Sequence, residues 1–270
     1  MADHIPGPLY FEQLGATGLP MLFLHSTPDD HRLWMFQTAH FSAWYRCLAV
    51  DLPGYGRSPA PQPGLEIEDM AAACWELVDT VTSGGIIIHG NSLGSRVAQW
   101  MAAMQPKRAL AIIVSGTGFT GSSEAMERWA KRYREEGIAL RRRQVIEHFA
   151  PELQKDRLLN HYADMVCALS NHGTLQSIIA VNEALARHYP PDLLSRITSP
   201  TLIIAGTKDF SFGTVHEHKK HIPQSELRTI EGAGHGVPIE APAEYDRHCI
   251  EFLSAIGLFP GAAGVSQVQK

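Results

Sequence analysis

Two short stretches, Ile86-Ile87-Ile88 and Leu202-Ile203-Ile204, carry an apolar side chain at every position. A strand with one face in water alternates apolar and polar residues, because successive side chains point to opposite faces. Unbroken apolar runs of this length belong instead to strands covered on both faces. That predicts an α/β protein with a largely parallel sheet and helices on either side. The predicted strands are Leu9–Leu14, Pro20–His25, Arg46–Asp51, Gly85–His89, Leu110–Ser115, Thr201–Ala205 and Glu226–Ile230. Helical stretches lie between them at about 30–44, 66–81, 92–105 and 241–255. The first two strands are expected to form an antiparallel hairpin, and the rest βαβ units.

From about Gly116 to Ile197 the alternation stops, leaving helical patterns interrupted by Gly121, Gly137, Pro151, Gly173 and Pro190-Pro191. A structureless loop of that length has no place in a compact domain, so a helical insertion over one end of the sheet is expected. Its charges, including Arg141-Arg142-Arg143 and the i,i+4 pair Glu127/Lys131, read as a solvated face. The expected division is a core in two parts, 1–115 and 198–257, a helical cap at 116–197, and a frayed tail at 258–270. A chain of 270 residues accommodates this as one domain with an insertion.

Composition excludes several function classes. A net charge of −5 offers no basic field for nucleic acid and no polybasic membrane anchor. No apolar run approaches the ~18 residues of a membrane span, and the N-terminus lacks a secretory pattern, so a cytoplasmic location is expected. Cys47, Cys74, Cys167 and Cys249 are scattered, without metal-ligand spacing, and read as free thiols. The 14 histidines include no H-E-x-x-H pattern. Neither a metal nor an organic cofactor is expected. A monomer and a homodimer fit the sequence equally.

Gly90-Asn91-Ser92-Leu93-Gly94 matches G-x-S-x-G, directly after the Ile86–Ile88 strand and directly before the helical pattern from Ser95 to Met101. Strand, tight turn and helix are the setting a nucleophilic serine needs: the turn lifts its hydroxyl clear of the sheet, and the helix directs its positive end at developing negative charge. Serine also needs a general base. His235 supplies one, in the loop Gly232-Ala233-Gly234-His235 that follows the last strand. Asp209 sits in the turn leaving Thr201–Ala205, where catalytic groups of open α/β sheets gather. Glu231 and Asp246 are the other acids considered, and they rank behind Asp209.

With these residues the sequence resembles the α/β-hydrolase superfamily, in its cap-bearing esterase, lactonase and carbon–carbon hydrolase branch. The resemblance extends to Asp51-Leu52-Pro53-Gly54-Tyr55-Gly56-Arg57-Ser58, similar to the family's D-x-x-G-x-G-x-S turn, and to Leu24-His25-Ser26-Thr27-Pro28, where the family has H-G-x-P. It implies an oxyanion hole formed by the amides of Thr27 and Leu93. Ser26 departs from the family's glycine and adds a hydroxyl facing either the pocket or the sheet. A serine in the nucleophile seat argues against dehalogenase and epoxide hydrolase activities, which use aspartate there in this fold.

The reading is therefore a serine hydrolase cleaving a small carboxylic ester or lactone through an acyl-enzyme, with Ser92, His235 and Asp209 as triad. Ser26, Trp34, Asn91, Phe119 and Phe210 are candidate substrate contacts; the three aromatics read equally well as core residues. Asn91-Ser92 also resembles the elbow of hydrolases that cleave C–C bonds in ring-fission diketones. Those carry an aromatic residue after the histidine, where this chain has Gly236, and a cap arginine, for which Arg187 is the candidate. A non-catalytic small-ligand sensor on the same fold is the alternative from another class.

Overall fold

The computed structural model describes residues 5–117, 123–168, 174–187, 190 and 192–260. Its strands are β1 (Phe11–Leu14), β2 (Pro20–Leu24), β3 (Arg46–Val50), β4 (Ile86–Asn91), β5 (Ala109–Ser115), β6 (Thr201–Gly206) and β7 (Ser225–Ile230). They form one sheet in the order β1-β3-β2-β4-β5-β6-β7. All neighbours run parallel except β1, which is antiparallel to β3.

That last pairing corrects the expected hairpin. β2 is buried at every position and is flanked by β3 and β4, so it has no free edge to offer β1. β1, half-buried to exposed, caps the sheet edge at β3 instead, with Phe11 opposite Val50 and Leu14 opposite Cys47.

The helices are α1 (Met35–Phe41), α2 (Ile67–Val81), α3 (Leu93–Met104), α4 (Ser123–Glu136) and α5 (Leu140–Glu147). They continue with α6 (Arg157–Ala168), α7 (Leu175–Ala186), α8 (Val215–Lys220), α9 (Val237–Glu240) and α10 (Pro242–Ala255). The stretch expected as one helix at 30–44 is a 3-10 turn, His31–Trp34, running into the shorter α1.

The apolar runs divide between two cores. Leu22, Leu24, Ile86, Ile88 and Ile203 pack on one face with Met70, Cys74 and Val78 of α2 and Val97, Ala98 and Met101 of α3. Met21, Phe23, Ile87, Leu202 and Ile204 pack on the other with Phe41 of α1 and Tyr245, Cys249 and Phe252 of α10. Each fully buried aliphatic side chain contributes about 1.5–3 kcal/mol to burial. This two-sided covering is why the central strands need no polar alternation.

Between β5 and β6 the described residues contain helices and short turns but no strand. α4 packs against α7 and α5 against α6. Arg142 and Arg143 are exposed and pair with Asp164 (2.6 Å) and Glu136. Arg141 is not part of that solvated face: it is 2% exposed, and its Nε–H donates to the Pro28 carbonyl at 2.9 Å. Lys131 lies 3.7 Å from Glu135 rather than pairing back to Glu127. All four cysteines are free, with Cys47, Cys74 and Cys249 buried. No helix among the described residues is long and apolar enough to cross a membrane. Of the expected tail, residues 261–270 lie outside the described residues.

Candidate active site

β4 ends at Asn91, and the chain turns into α3 with Ser92 as the pivot. Ser92 has φ +53° and ψ −109° and is the only non-glycine residue with positive φ among those described. Such a backbone costs of order 1–3 kcal/mol and persists only where its surroundings hold it. Here the Ser92 N–H donates to Ser115 O (2.9 Å), the Gly94 N–H to His25 O (3.0 Å) and Ser95 Oγ to Gly90 O (2.9 Å). The glycines permit the close approach. A Cβ on Gly94 would fall 1.9 Å from Leu24 O, and one on Gly90 would fall 2.4 Å from Gly94 O.

Asp209 lies three residues past β6, and His235 lies in the loop between β7 and α9. Main-chain bonds from Thr207 N to Ile230 O (3.0 Å) and Lys208 N to Ala233 O (2.9 Å) tie the two loops together. His235 Nδ1 stands 2.9 Å from Asp209 Oδ1. Burial alone would push the Asp209 carboxyl up, but the charge and hydrogen bond of His235 and the Ser211 N–H outweigh it and hold the acid below the usual carboxylate range. For His235, burial pulls the imidazole pKa down, and Asp209 more than reverses this, leaving it raised. With Nδ1 committed to the carboxylate, Nε2 is the nitrogen left for chemistry.

Ser92 and His235 line one cavity of about 300 Å³, together with Thr27, Leu93, Gly116 and Thr117 from the sheet side. Ala125, Met126 and Trp129 of α4, Gln144 and His148 at α5, and Leu185 of α7 form its roof. Arg96, Phe210, Ser211 and Thr214 complete the wall. No hydrogen bond joins Ser92 to His235 among the described residues. Such bonds are often long without substrate and tighten when it binds.

The expected oxyanion donors, Thr27 and Leu93, both border this cavity. Leu93 is the first residue of α3, so its amide has no acceptor within the helix. Thr27 is braced through its hydroxyl, 2.6 Å from Tyr55 OH in the Asp51–Ser58 turn. His25 links the same two loops, donating from Nδ1 to Ser26 O (2.8 Å) and accepting from Leu52 N–H at Nε2 (2.9 Å).

Several expected contacts lie elsewhere. The Ser26 hydroxyl faces neither pocket nor sheet but donates to Asp29, which also accepts from Tyr162 OH of α6 at 2.8 Å. Burial lifts Asp29 to about 6. Trp34 is fully buried, its ring against Phe23 (5.3 Å) and Tyr245 (5.9 Å), and belongs to the core. Asn91 is also fully buried, its side-chain oxygen accepting from Ser115 Oγ (2.7 Å). Neither lines the cavity. Phe210 does border the cavity, 65% exposed and stacked on His235 at 4.3 Å. Phe119 falls outside the described residues. Arg187 turns away from the cavity, pairing with Glu66 (2.7 Å) and donating to Leu65 O. Of the other acids, Asp246 is held by His40 (2.6 Å) and Gln37 (3.1 Å), and Glu231 is exposed.

Residues that the sequence reading missed complete the site. The half-buried Glu240 carboxylate accepts from three main-chain amides: Gly234 and Gly236 on either side of His235 (2.8 Å each), and Ala150 at the end of the α5 turn (2.9 Å). The His235 N–H donates to His148 O at 2.9 Å. The spacing of Glu240 from His235, one turn into α9, was the available signal. Asp30, His31 and Asp51 also bring metal-ligating atoms within 4.8 Å of one another. Those atoms already hold partners: His31 Nδ1 lies 2.7 Å from Asp51 Oδ1, and Arg32 grips Asp30.

Comparison with known proteins bears on this geometry. The chain is 28% identical over 272 residues to the AB hydrolase superfamily protein YisY of Bacillus subtilis, covering 94% of this chain and 97% of that one. It is 27% identical over 239 residues to 3-oxoadipate enol-lactonase 2 of Acinetobacter baylyi, covering 86% of each. A thermophilic esterase from Thermogutta terrifontis superposes with a TM-score of 0.79 at 26% identity, over 92% of this chain and 93% of that one. The model of the Alpha/beta hydrolase family matches residues 21–247, and the chain belongs to that family.

Proposed function

We propose that this protein is a serine hydrolase that cleaves a small carboxylic ester or lactone through an acyl-enzyme. One observation carries the reading: the strained Ser92 turn opens on the same cavity as His235, whose other ring nitrogen is bound to Asp209.

In this scheme Ser92 Oγ attacks the carbonyl carbon while His235 Nε2 takes its proton. Asp209 stabilises the imidazolium and fixes the tautomer that leaves Nε2 free to accept. The Thr27 and Leu93 amides hold the tetrahedral oxyanion, each worth about 3 kcal/mol at the transition state. Collapse breaks the ester C–O bond, and His235 returns the proton to the leaving oxygen. Water, deprotonated by His235, then attacks the acyl-enzyme and releases the acid with Ser92 restored.

A cavity of about 300 Å³ suits a short acyl group. The names of the enol-lactonase and esterase relatives point to the same reaction class. C–C hydrolysis loses its proposed anchor, since Arg187 is engaged outside this cavity. Incubation with a fluorophosphonate should label Ser92 and abolish turnover of p-nitrophenyl acetate. Retained turnover by Ser92→Ala would exclude the scheme, and a single turnover without recycling would favour the sensor reading.

A further inference from the structure

The roof of the cavity is not uniform. α4 and α7 present Ala125, Met126, Trp129 and Leu185, all apolar except for the indole N–H. α5 presents Gln144 and, immediately after its last residue, His148. These lie four positions apart, so they stack on one helix face.

Both are buried and both keep hydrogen-bonding capacity in reserve. Gln144 is 1% exposed, and its Oε1 accepts from Tyr133 OH, which orients the amide and leaves the NH2 group without a partner among the described residues. His148 is 8% exposed, and among the described residues its ring meets the rings of His235 at 5.0 Å, Phe210 at 5.8 Å and Trp129 at 6.0 Å. Neither ring nitrogen has a hydrogen-bond partner among the described residues. Burial, with His235 nearby, pushes its pKa down to about 3, so the ring is neutral and offers one donor and one acceptor. Both residues line the cavity, so a ligand there can supply the partners that the described residues do not.

We infer that Gln144 and His148 form a polar subsite in the roof that binds an uncharged oxygen function of the substrate, a hydroxyl or keto group placed beside the scissile carbonyl. This rests on the hydrolase reading and narrows it: the substrate is an oxygenated ester or lactone rather than a plain alkyl one. The amide NH2 donates to the substrate oxygen, and His148 either donates to a keto group or accepts from a hydroxyl. Both residues touch substrate in the ground state and set specificity.

The test compares p-nitrophenyl butyrate, its 3-hydroxybutyrate analogue and the monosuccinate on wild type, Gln144→Leu, His148→Phe and His148→Gln. Wild type should favour the hydroxy ester by about 10-fold in kcat/KM, the value of one to two well-made hydrogen bonds. The leucine and phenylalanine variants should bring that ratio close to one, while His148→Gln should restore most of it. A fall in all substrates with the ratio kept would mean that α5 only supports the His235 loop, and would overturn the proposal. So would a wild type that prefers the monosuccinate, since that assigns selection to charge. Calorimetric affinities in Ser92→Ala separate this result from the catalytic scheme. The preference for the hydroxy ester should persist there, whereas failure of the hydrolase reading shows as absent fluorophosphonate labelling of Ser92.

Discussion

The sheet and the helices between β5 and β6 obey different rules. In the sheet, each central strand is enclosed by neighbours in its plane and by helices above and below, so one residue's register decides which core it joins. Ile87 packs on one face and Ile86 and Ile88 on the other, with no freedom to exchange. In α4 to α7 the same physics leaves more choice. Arg141, Arg142 and Arg143 differ by about 100° per step around the helix, so three like charges in a row cannot share a face. One of them is buried against Pro28 and the others reach solvent. Strand patterning specifies contacts, whereas helical charge patterning specifies only a circumference.

Substitutions can sharpen or break that contrast, beginning with the sheet side. Ser92→Ala should lower kcat by roughly 10⁴–10⁶-fold and leave the thermal midpoint unchanged or raised, because alanine loses no buried contact; esterase assays and calorimetry read the two. Asp209→Asn should cost about 10⁴-fold in kcat. It should also move the acid limb of the kcat/KM profile to lower pH, because the carboxylate is what raises the His235 pKa and the base must be neutral to act. An unmoved limb would detach Asp209 from the titration.

Glu240→Ala should reduce kcat by about 100-fold, since it frees the loop that aims His235 and misplacement by an ångström has effects of that size. Steady-state kinetics should show KM changing less than kcat. On the helical side, Arg141→Ala should lower unfolding stability in urea by about 2 kcal/mol, the scale for losing a charged donor to a buried carbonyl. Arg142→Ala should leave the urea midpoint nearly unchanged, as exposed pairs do. Equal effects of the two substitutions would erase the distinction between the regions.

The same contrast explains what was legible in the sequence. All seven strands lie within two residues of their expected bounds, and the central ones were the plainest, because a doubly covered strand leaves an unmistakable apolar run. Ser92, Asp209 and His235 were placed at strand ends by glycine-rich turns, and the chain does put them there. The hairpin was misread because pairing partners depend on which strand has a free edge, and β2 has none. Asn91 was read toward the cavity because it adjoins Ser92, yet nearness in sequence says nothing about direction and it does not line the cavity, while Trp34, read equally as pocket or core, joins the core. Ser26 was flagged as a departure from the family, but its partner Asp29 and the more distant Tyr162 become visible only in three dimensions. Gln144 and His148 carried a usable i,i+4 signal, yet without a sheet to face it had no address.

The carboxylate that gathers Gly234, Gly236 and Ala150 makes the helical segment something other than an exchangeable cassette. A chimera carrying a relative's helices would have to bring a main-chain amide to the place of Ala150 N and a carbonyl to the place of His148 O. Any residue but proline supplies both groups, so a graft fails only by misplacing them, and it would then leave the imidazole adrift. Roof and base are thereby joined through two backbone atoms.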